Sequence, residues 1–261
     1  MLHIEPIKAF RDNYLWVFNV IGTSAACVVD PGDAEPVLNY LRTNNLELAA
    51  ILVTHHHADH IGGINNLLAH KSVPVFGPDS VKIPQVTHKV KEADAVTILG
   101  ITFSVLEVPG HTLDHVAYFT NHFATTLGPV LFCGDTLFAA GCGRMFEGTP
   151  PIMYKSLQKI AALSPNTQVF CTHEYTLSNL NFAAAVMPDN PELQQRIKTE
   201  TAKREQDIPT VPSTIALELS TNPFLRCNDA TVVASAKNQS NAQTTNAAAV
   251  FGTLRRWKDN F

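Results

Sequence analysis

The sequence predicts a layered α/β domain followed by a smaller helical one. Short apolar runs alternate with helix-spaced segments through the first two thirds of the chain. Side chains able to bind metal stand at the ends of those runs, where strands open into loops. After Tyr175 the pattern turns to helical spacing, cut into pieces by Pro188, Pro191, Pro209 and Pro212.

The elements follow in order. The run from Tyr14 to Val20 ends at Gly22, and the run from Ala25 to Val29 ends at Asp30-Pro31-Gly32-Asp33. Both read as strands bounded by turn residues. Residues 35–44 place Val37, Leu38 and Leu41 at helical spacing, with Asp33 as the N-cap. The apolar run 49–53 predicts a strand that delivers Thr54-His55-His56-His57-Ala58-Asp59-His60. A helix is expected to begin near His60 and run through Ile64, Leu67 and Leu68. Strands are expected at 73–76, 96–99, 101–108, 115–120 and 129–133, then a helix over 152–163 and a strand at 168–171. Their continuous apolar character suits sheets covered by helices on both faces. Beyond them, 180–187, 191–203, 214–219 and 247–257 read as helices, and the polar stretch 237–245 as an exposed loop or helix end. The expected domains are therefore 1–174 and 175–261.

Composition narrows the class. The chain has 261 residues, 45% of them hydrophobic and 16% charged, as in ordinary globular proteins. A net charge of -4 gives no global reason for a nucleic-acid partner. Five cysteines are scattered with no Cys-x-x-Cys pair, which fits reduced and mostly buried thiols. The start of the chain lacks a basic segment followed by an apolar one, so no secretory signal is read. No apolar run approaches the roughly 20 residues of a membrane span. A cytoplasmic location and a monomer are the expectations.

The spacing His-x-His-x-Asp-His is the strongest chemical signal. In an extended segment His55 and His57 project to one face and His56 to the other. Asp59 and His60 come where the chain turns into a helix, so they face a second point beside the first. One short loop can thus serve two ions. His111, Asp135 and His173 each follow an apolar run and supply the remaining ligands. Asp135 can bridge, since each of its oxygens can take one ion. Imidazole and carboxylate suit zinc first, with iron or manganese as alternatives. His3, His70, His88 and His122 read as ordinary structural histidines, while His56 and His115 fall between the two readings. Cys142, in Gly141-Cys142-Gly143, reads as a packed turn residue and not a nucleophile.

At these residues the chain resembles the metallo-β-lactamase superfamily. Three further stretches make it similar to the glyoxalase II (hydroxyacylglutathione hydrolase) family: 132–138, 141–149 and Cys171-Thr172-His173-Glu174-Tyr175-Thr176. Asn222-Pro223-Phe224-Leu225-Arg226 and Arg255-Arg256-Trp257-Lys258 extend the likeness to the end of the chain. The resemblance implies an αββα sandwich with a helical C-terminal domain that helps bind glutathione. It implies His55, His57 and His111 on one metal, Asp59, His60 and His173 on the other, and Asp135 between them. It implies Arg144, Phe146, His173, Tyr175, Arg255 and Lys258 as substrate contacts. Arg144 stands where Lys is frequent in that family, and Phe146 where Tyr is, which removes a hydroxyl donor.

The implied reaction is hydrolysis of S-D-lactoylglutathione to D-lactate and glutathione, a part of methylglyoxal detoxification. A hydroxide activated by two metals, aimed by Asp59, would attack the thioester carbonyl. Glutathione carries two carboxylates, which gives Arg144, Arg255 and Lys258 a purpose. Three other readings compete: an RNA nuclease or other ester hydrolase of the superfamily, a glutathione-linked sulfur dioxygenase, and a metal-stabilised binding domain. The modest acidic charge speaks against the nuclease and the full set of seven ligands against the dioxygenase. An open pair of metals does not suit a purely structural site.

Overall fold

A computed structural model describes residues 1–121, 128–239 and 246–261. The chain divides into two compact units, Met1–Glu107 with Asp114–Gly134, and Val108–Leu113 with Asp135–Phe261.

The first unit opens with the antiparallel pair β1 (Leu2–Ala9) and β2 (Asn13–Val20), in register from Leu2 opposite Val20 to Ala9 opposite Asn13. Strand β3 (Ala25–Val29) lies antiparallel to β2. Helix α1 (Ala34–Thr43) follows, its N-cap Asp33 accepting from the Glu35 amide at 3.1 Å. Strand β4 (Glu47–Leu52) runs parallel to β3. The short helices α2 (Ala58–Ile61) and α3 (Ile64–His70) come next, then β5 (Val75–Pro78) and β6 (His88–Val90). These six strands form one sheet in chain order. Strands β7 (Ala95–Ile98), β8 (Ile101–Glu107), β9 (Val116–Thr120) and β10 (Val130–Gly134) form an antiparallel meander ordered β10-β9-β8-β7.

Side-chain alternation along β2 explains the layering. Leu15 and Val17 join Val28, Ile51 and Val53 under Val37, Leu41, Ile64 and Leu67 of the helices. Phe18 faces the other way, its ring 5.5 Å from Phe103 and 5.7 Å from Phe132 on the meander. Tyr118 crosses the same layer and donates its hydroxyl to the Val53 carbonyl at 2.8 Å.

The second unit begins with the hairpin β11 (Leu137–Phe138) and β12 (Gly141–Cys142). Helix α4 (Pro150–Ala161) starts on a proline, whose missing N–H costs nothing in the first turn. Strand β13 (Gln168–Cys171) leads to α5 (Thr176–Val186) and α6 (Pro191–Glu205). Strand β14 (Ser213–Thr214) pairs antiparallel with β13, and Thr214 then caps α7 (Ile215–Thr221). A 3-10 turn at Pro223–Leu225, α8 (Ala230–Gln239) and α9 (Ala247–Asp259) complete the described chain. Rings of Phe182, Phe224, Phe251 and Trp257 form an aromatic core, with Phe182 stacked 5.8 Å from Phe224.

Some elements differ from expectation. The single helix expected from His60 breaks into α2 and α3, because the Gly63 amide donates to the Pro31 carbonyl at 2.9 Å instead of continuing the spiral. Strands β1, β6, β11, β12 and β14 and helix α8 are not among the elements expected from the apolar runs. Pro6 sits in β1, an edge strand, where one missing donor is tolerated. Lys237–Gln239 of the stretch read as loop or helix end belong to α8, whereas 240–245 and His122 lie outside the described residues. Among the described residues no helix is long and apolar enough to cross a membrane.

Candidate metal centre

In the first unit, the ligand loop hangs from one buried carboxylate. Asp30 directly follows β3, has φ 53° and is 2% exposed. It accepts from the Thr54 amide at 2.7 Å, the Thr54 hydroxyl at 2.7 Å and His60 Nδ1 at 3.0 Å. The Thr54 hydroxyl, having given its proton to Asp30, accepts from His55 Nδ1 at 3.0 Å. This network assigns the Nδ1–H tautomer to both imidazoles and leaves a lone pair on each Nε2. His55 and His60, both buried, approach to 4.0 Å between ring centroids, and His57 lies 4.7 Å from His55. Asp59 Oδ2 stands 3.6 Å from His60 Nε2 and accepts from Asn13 Nδ2 at 3.0 Å.

His56 diverges from its neighbours, as alternation requires. Its Nδ1 donates to Asp114 at 2.8 Å, and Lys82 Nζ lies 3.2 Å from its Nε2. His115 stacks on His55 at 4.5 Å and 14°, with its Nδ1 donating to the Val116 carbonyl at 3.1 Å. His3 and His88 sit at the surface beside Glu5 and Thr87.

In the second unit, His111, Asp135 and His173 meet. His111 Nδ1 donates to the Arg144 carbonyl at 2.8 Å, which again puts the lone pair on Nε2. That nitrogen stands 3.4 Å from Asp135 Oδ2, and His173 Nε2 stands 3.3 Å from the same oxygen. Two ligands of one tetrahedral ion, each about 2.1 Å from it, lie roughly 3.4 Å apart. The spacings therefore fit cations between these groups better than direct hydrogen bonds. Gly143 is required beside them: a Cβ there would overlap the Asp135 carbonyl and press on His111 Nδ1. His173 is also held by Tyr175, stacked at 4.6 Å, and by the edge of Phe138 at 5.7 Å.

The residues expected to contact substrate differ in setting. Phe146 is 64% exposed, with its ring 5.3 Å from His111. Arg144 is exposed and its Nε lies 3.5 Å from Asp259 Oδ1. Arg255 is buried: it donates to the Cys142 carbonyl at 2.8 Å, pairs with Asp259 at 3.1 Å and lies over the Phe224 ring. Lys258 donates to Ser178 Oγ at 3.1 Å above the Phe182 ring. Burial, then the charges of Arg255 and Arg144, hold its ammonium below the usual lysine range. All five cysteines are buried and reduced. Burial pushes the Cys142 thiol up to about 11, which leaves it protonated at neutral pH.

Sequence reasoning missed Asp30 and Asn13. In the sequence Asp30 reads only as a turn residue. The signal was its place at the end of the strand adjoining the ligand-bearing one, where an acid faces the loop.

Comparison with known proteins matches two stretches of the chain. Residues 13–173 match the metallo-beta-lactamase superfamily, and residues 174–261 match the hydroxyacylglutathione hydrolase C-terminus. The hydroxyacylglutathione hydrolase of Nitrosomonas europaea is 48% identical over 263 residues, spanning 100% of this chain and 97% of that protein. Its counterpart in Pseudomonas aeruginosa is 50% identical over 262 residues, spanning 100% of both. The crystal structure of TTHA1623 in a di-iron-bound form is 25% identical, with a TM-score of 0.59 over 85% of this chain and 100% of that one. The chain thus has the αββα fold of that superfamily with a helical C-terminal domain. Its His and Asp clusters are of the kind that hold a pair of metal ions there.

Proposed function

This chain belongs to the hydroxyacylglutathione hydrolase family of the metallo-β-lactamase superfamily, and we propose that it hydrolyses S-D-lactoylglutathione to D-lactate and glutathione. The observation that carries the reading is a full His and Asp ligand set on a chain whose C-terminal 88 residues match the glutathione-thioesterase family specifically. In this reading His55, His57 and His111 hold one ion, Asp59, His60 and His173 the other, and Asp135 bridges. Each set offers three side-chain ligand atoms. Zinc is the first choice of metal, with iron or manganese as alternatives. Residues 1–174 carry the metal chemistry and 175–261 help hold glutathione, in a cytoplasmic monomer.

Bound divalent ions would supply positive charge and lower the pKa of water from about 15.7 to about 7. The protein's own residues do the rest. Asp30 and the Arg144 carbonyl keep three imidazoles in the tautomer that presents Nε2. Asn13 donates to Asp59 and so fixes the carboxylate that would orient the attacking water. Arg144 and Lys258 offer charge to the glycine and γ-glutamyl carboxylates of glutathione, and Arg255 orients Arg144 through Asp259. Phe146 packs beside His111 as an apolar wall. The departing thiolate needs no strong acid, since thiols ionise at about 8.5.

The test is turnover of a thioester panel by metal-loaded protein. Cleavage of S-D-lactoylglutathione ahead of non-glutathione thioesters supports the proposal. Intact S-D-lactoylglutathione beside rapid cleavage of another ester or of RNA would overturn it.

A further inference from the structure

The loop that carries Arg144 and Phe146 is laced to the segment that carries His111. His111 Nδ1 donates to the Arg144 carbonyl at 2.8 Å, the Phe146 amide to the His111 carbonyl at 3.1 Å, and the Gly148 amide to the Gly110 carbonyl at 3.1 Å. The backbones touch so closely that a Cβ on Gly148 would overlap Gly110. At the near end, Ser156 of α4 donates its hydroxyl to the Pro109 carbonyl at 2.6 Å. At the far end one side chain closes the lacing: the Glu147 carboxylate accepts from the Leu113 amide at 2.8 Å.

Leu113 is 57% exposed and Glu147 is exposed too, so the bond ties together two surface residues. Its effect is to fix the last residues of the segment 108–113, and with them the direction of His111.

We propose that Glu147 is a positioning residue that makes metal retention and glutathione binding depend on one another. This rests on the proposed function, in which His111 holds a metal and Arg144 and Phe146 meet glutathione. A ligand that orders the 144–148 loop then also orders His111, and an ion on His111 preorganises the loop for the ligand. Loss of the carboxylate loosens both ends of the same lacing.

The experiment compares metal-loaded parent, Glu147→Ala and Glu147→Gln. Metal release to a chromogenic chelator is followed with and without added glutathione, and kcat and KM are measured on the thioester. Removing a group that orients a ligand typically weakens metal affinity about 10–100-fold. Glu147→Ala is expected to release metal about tenfold faster than the parent. Glutathione should slow release in the parent and have little effect in Glu147→Ala. KM should rise more than kcat falls. Glu147→Gln keeps an oxygen that can accept from the Leu113 amide, so it should stay within about threefold of the parent. Parent-like release from Glu147→Ala, or equal damage from both variants, would overturn the inference. A parent that holds metal but spares the thioester would sink only the substrate assignment, and the release data would still decide the role of Glu147. A parent that binds no metal would sink both.

Discussion

At the residue scale, Asp30 sets the state of the ligands. One buried carboxylate takes three donors, two directly from Thr54 and one from His60, and reaches His55 through the Thr54 hydroxyl. Asp30→Asn keeps the shape but replaces one acceptor with a donor that faces Thr54 or His60. We expect metal affinity to fall about 10–100-fold. Dialysis against graded chelator followed by elemental analysis reads the change, and unchanged retention would contradict it. The cysteines give a pH prediction. Burial raises the thiols of Cys142 to about 11 and Cys171 to about 12, from an ordinary 9.0. As pH climbs past 9 the unfolded chain loses these protons before the folded one does. The thiols' contribution to stability is thus complete below pH 9 and drains away up to about 11–12. Denaturant midpoints measured from pH 8 upward should fall across that window, and less steeply in Cys142→Ala. Cys142→Ala should also keep most of its turnover, since a protonated buried thiol is no nucleophile.

At the element scale, the hairpin of β11 and β12 depends on the helices that follow it in its own unit. Ala140, with φ 57°, donates its amide to Glu218 of α7 at 2.8 Å. Asn222 donates to the Gly141 carbonyl at 2.9 Å and Asn179 of α5 to the Ala139 carbonyl at 3.1 Å. Glu218 is held in turn by Arg196 of α6 at 2.7 Å, both side chains being almost fully buried. Removal of one partner strands a buried charge and costs about 3–5 kcal/mol. Thermal unfolding should therefore show Glu218→Ala much less stable than Glu218→Gln, which keeps an oxygen for the Ala140 amide. Equal stability of the two variants would mean that Glu218 is not the support of this hairpin. None of these supports was visible in the sequence. The long apolar runs of β2, β4 and β10 were, because burial on both faces writes itself as continuous hydrophobicity. The two-residue strands β11, β12 and β14 were not, since nothing local distinguishes them from turns. The split between α2 and α3 was legible but passed over: it falls at Gly62-Gly63, a local breaker, where the Gly63 amide turns to the Pro31 carbonyl.

At the scale of the whole molecule, spacing named the residues proposed as ligands, but not the groups that orient them. His-x-His-x-Asp-His named four residues, and turns after apolar runs named three more. What the sequence withheld was the groups behind them, Asp30, Asn13 and the Arg144 carbonyl, which act across many residues of chain. The account makes folding and metal loading partners: ions that bind only the folded chain stabilise it by mass action. Exhaustive chelation should lower the melting temperature, and adding back zinc should restore it. The central proposal is that seven side chains would hold two ions in one hydrolytic centre. Its most direct test is metal stoichiometry measured beside turnover on the same samples as ions are added back to chelated protein. The account requires two equivalents per chain at full activity, with Asp135→Ala inactive yet folded. Full turnover with a single equivalent, or undiminished turnover in Asp135→Ala, would contradict it.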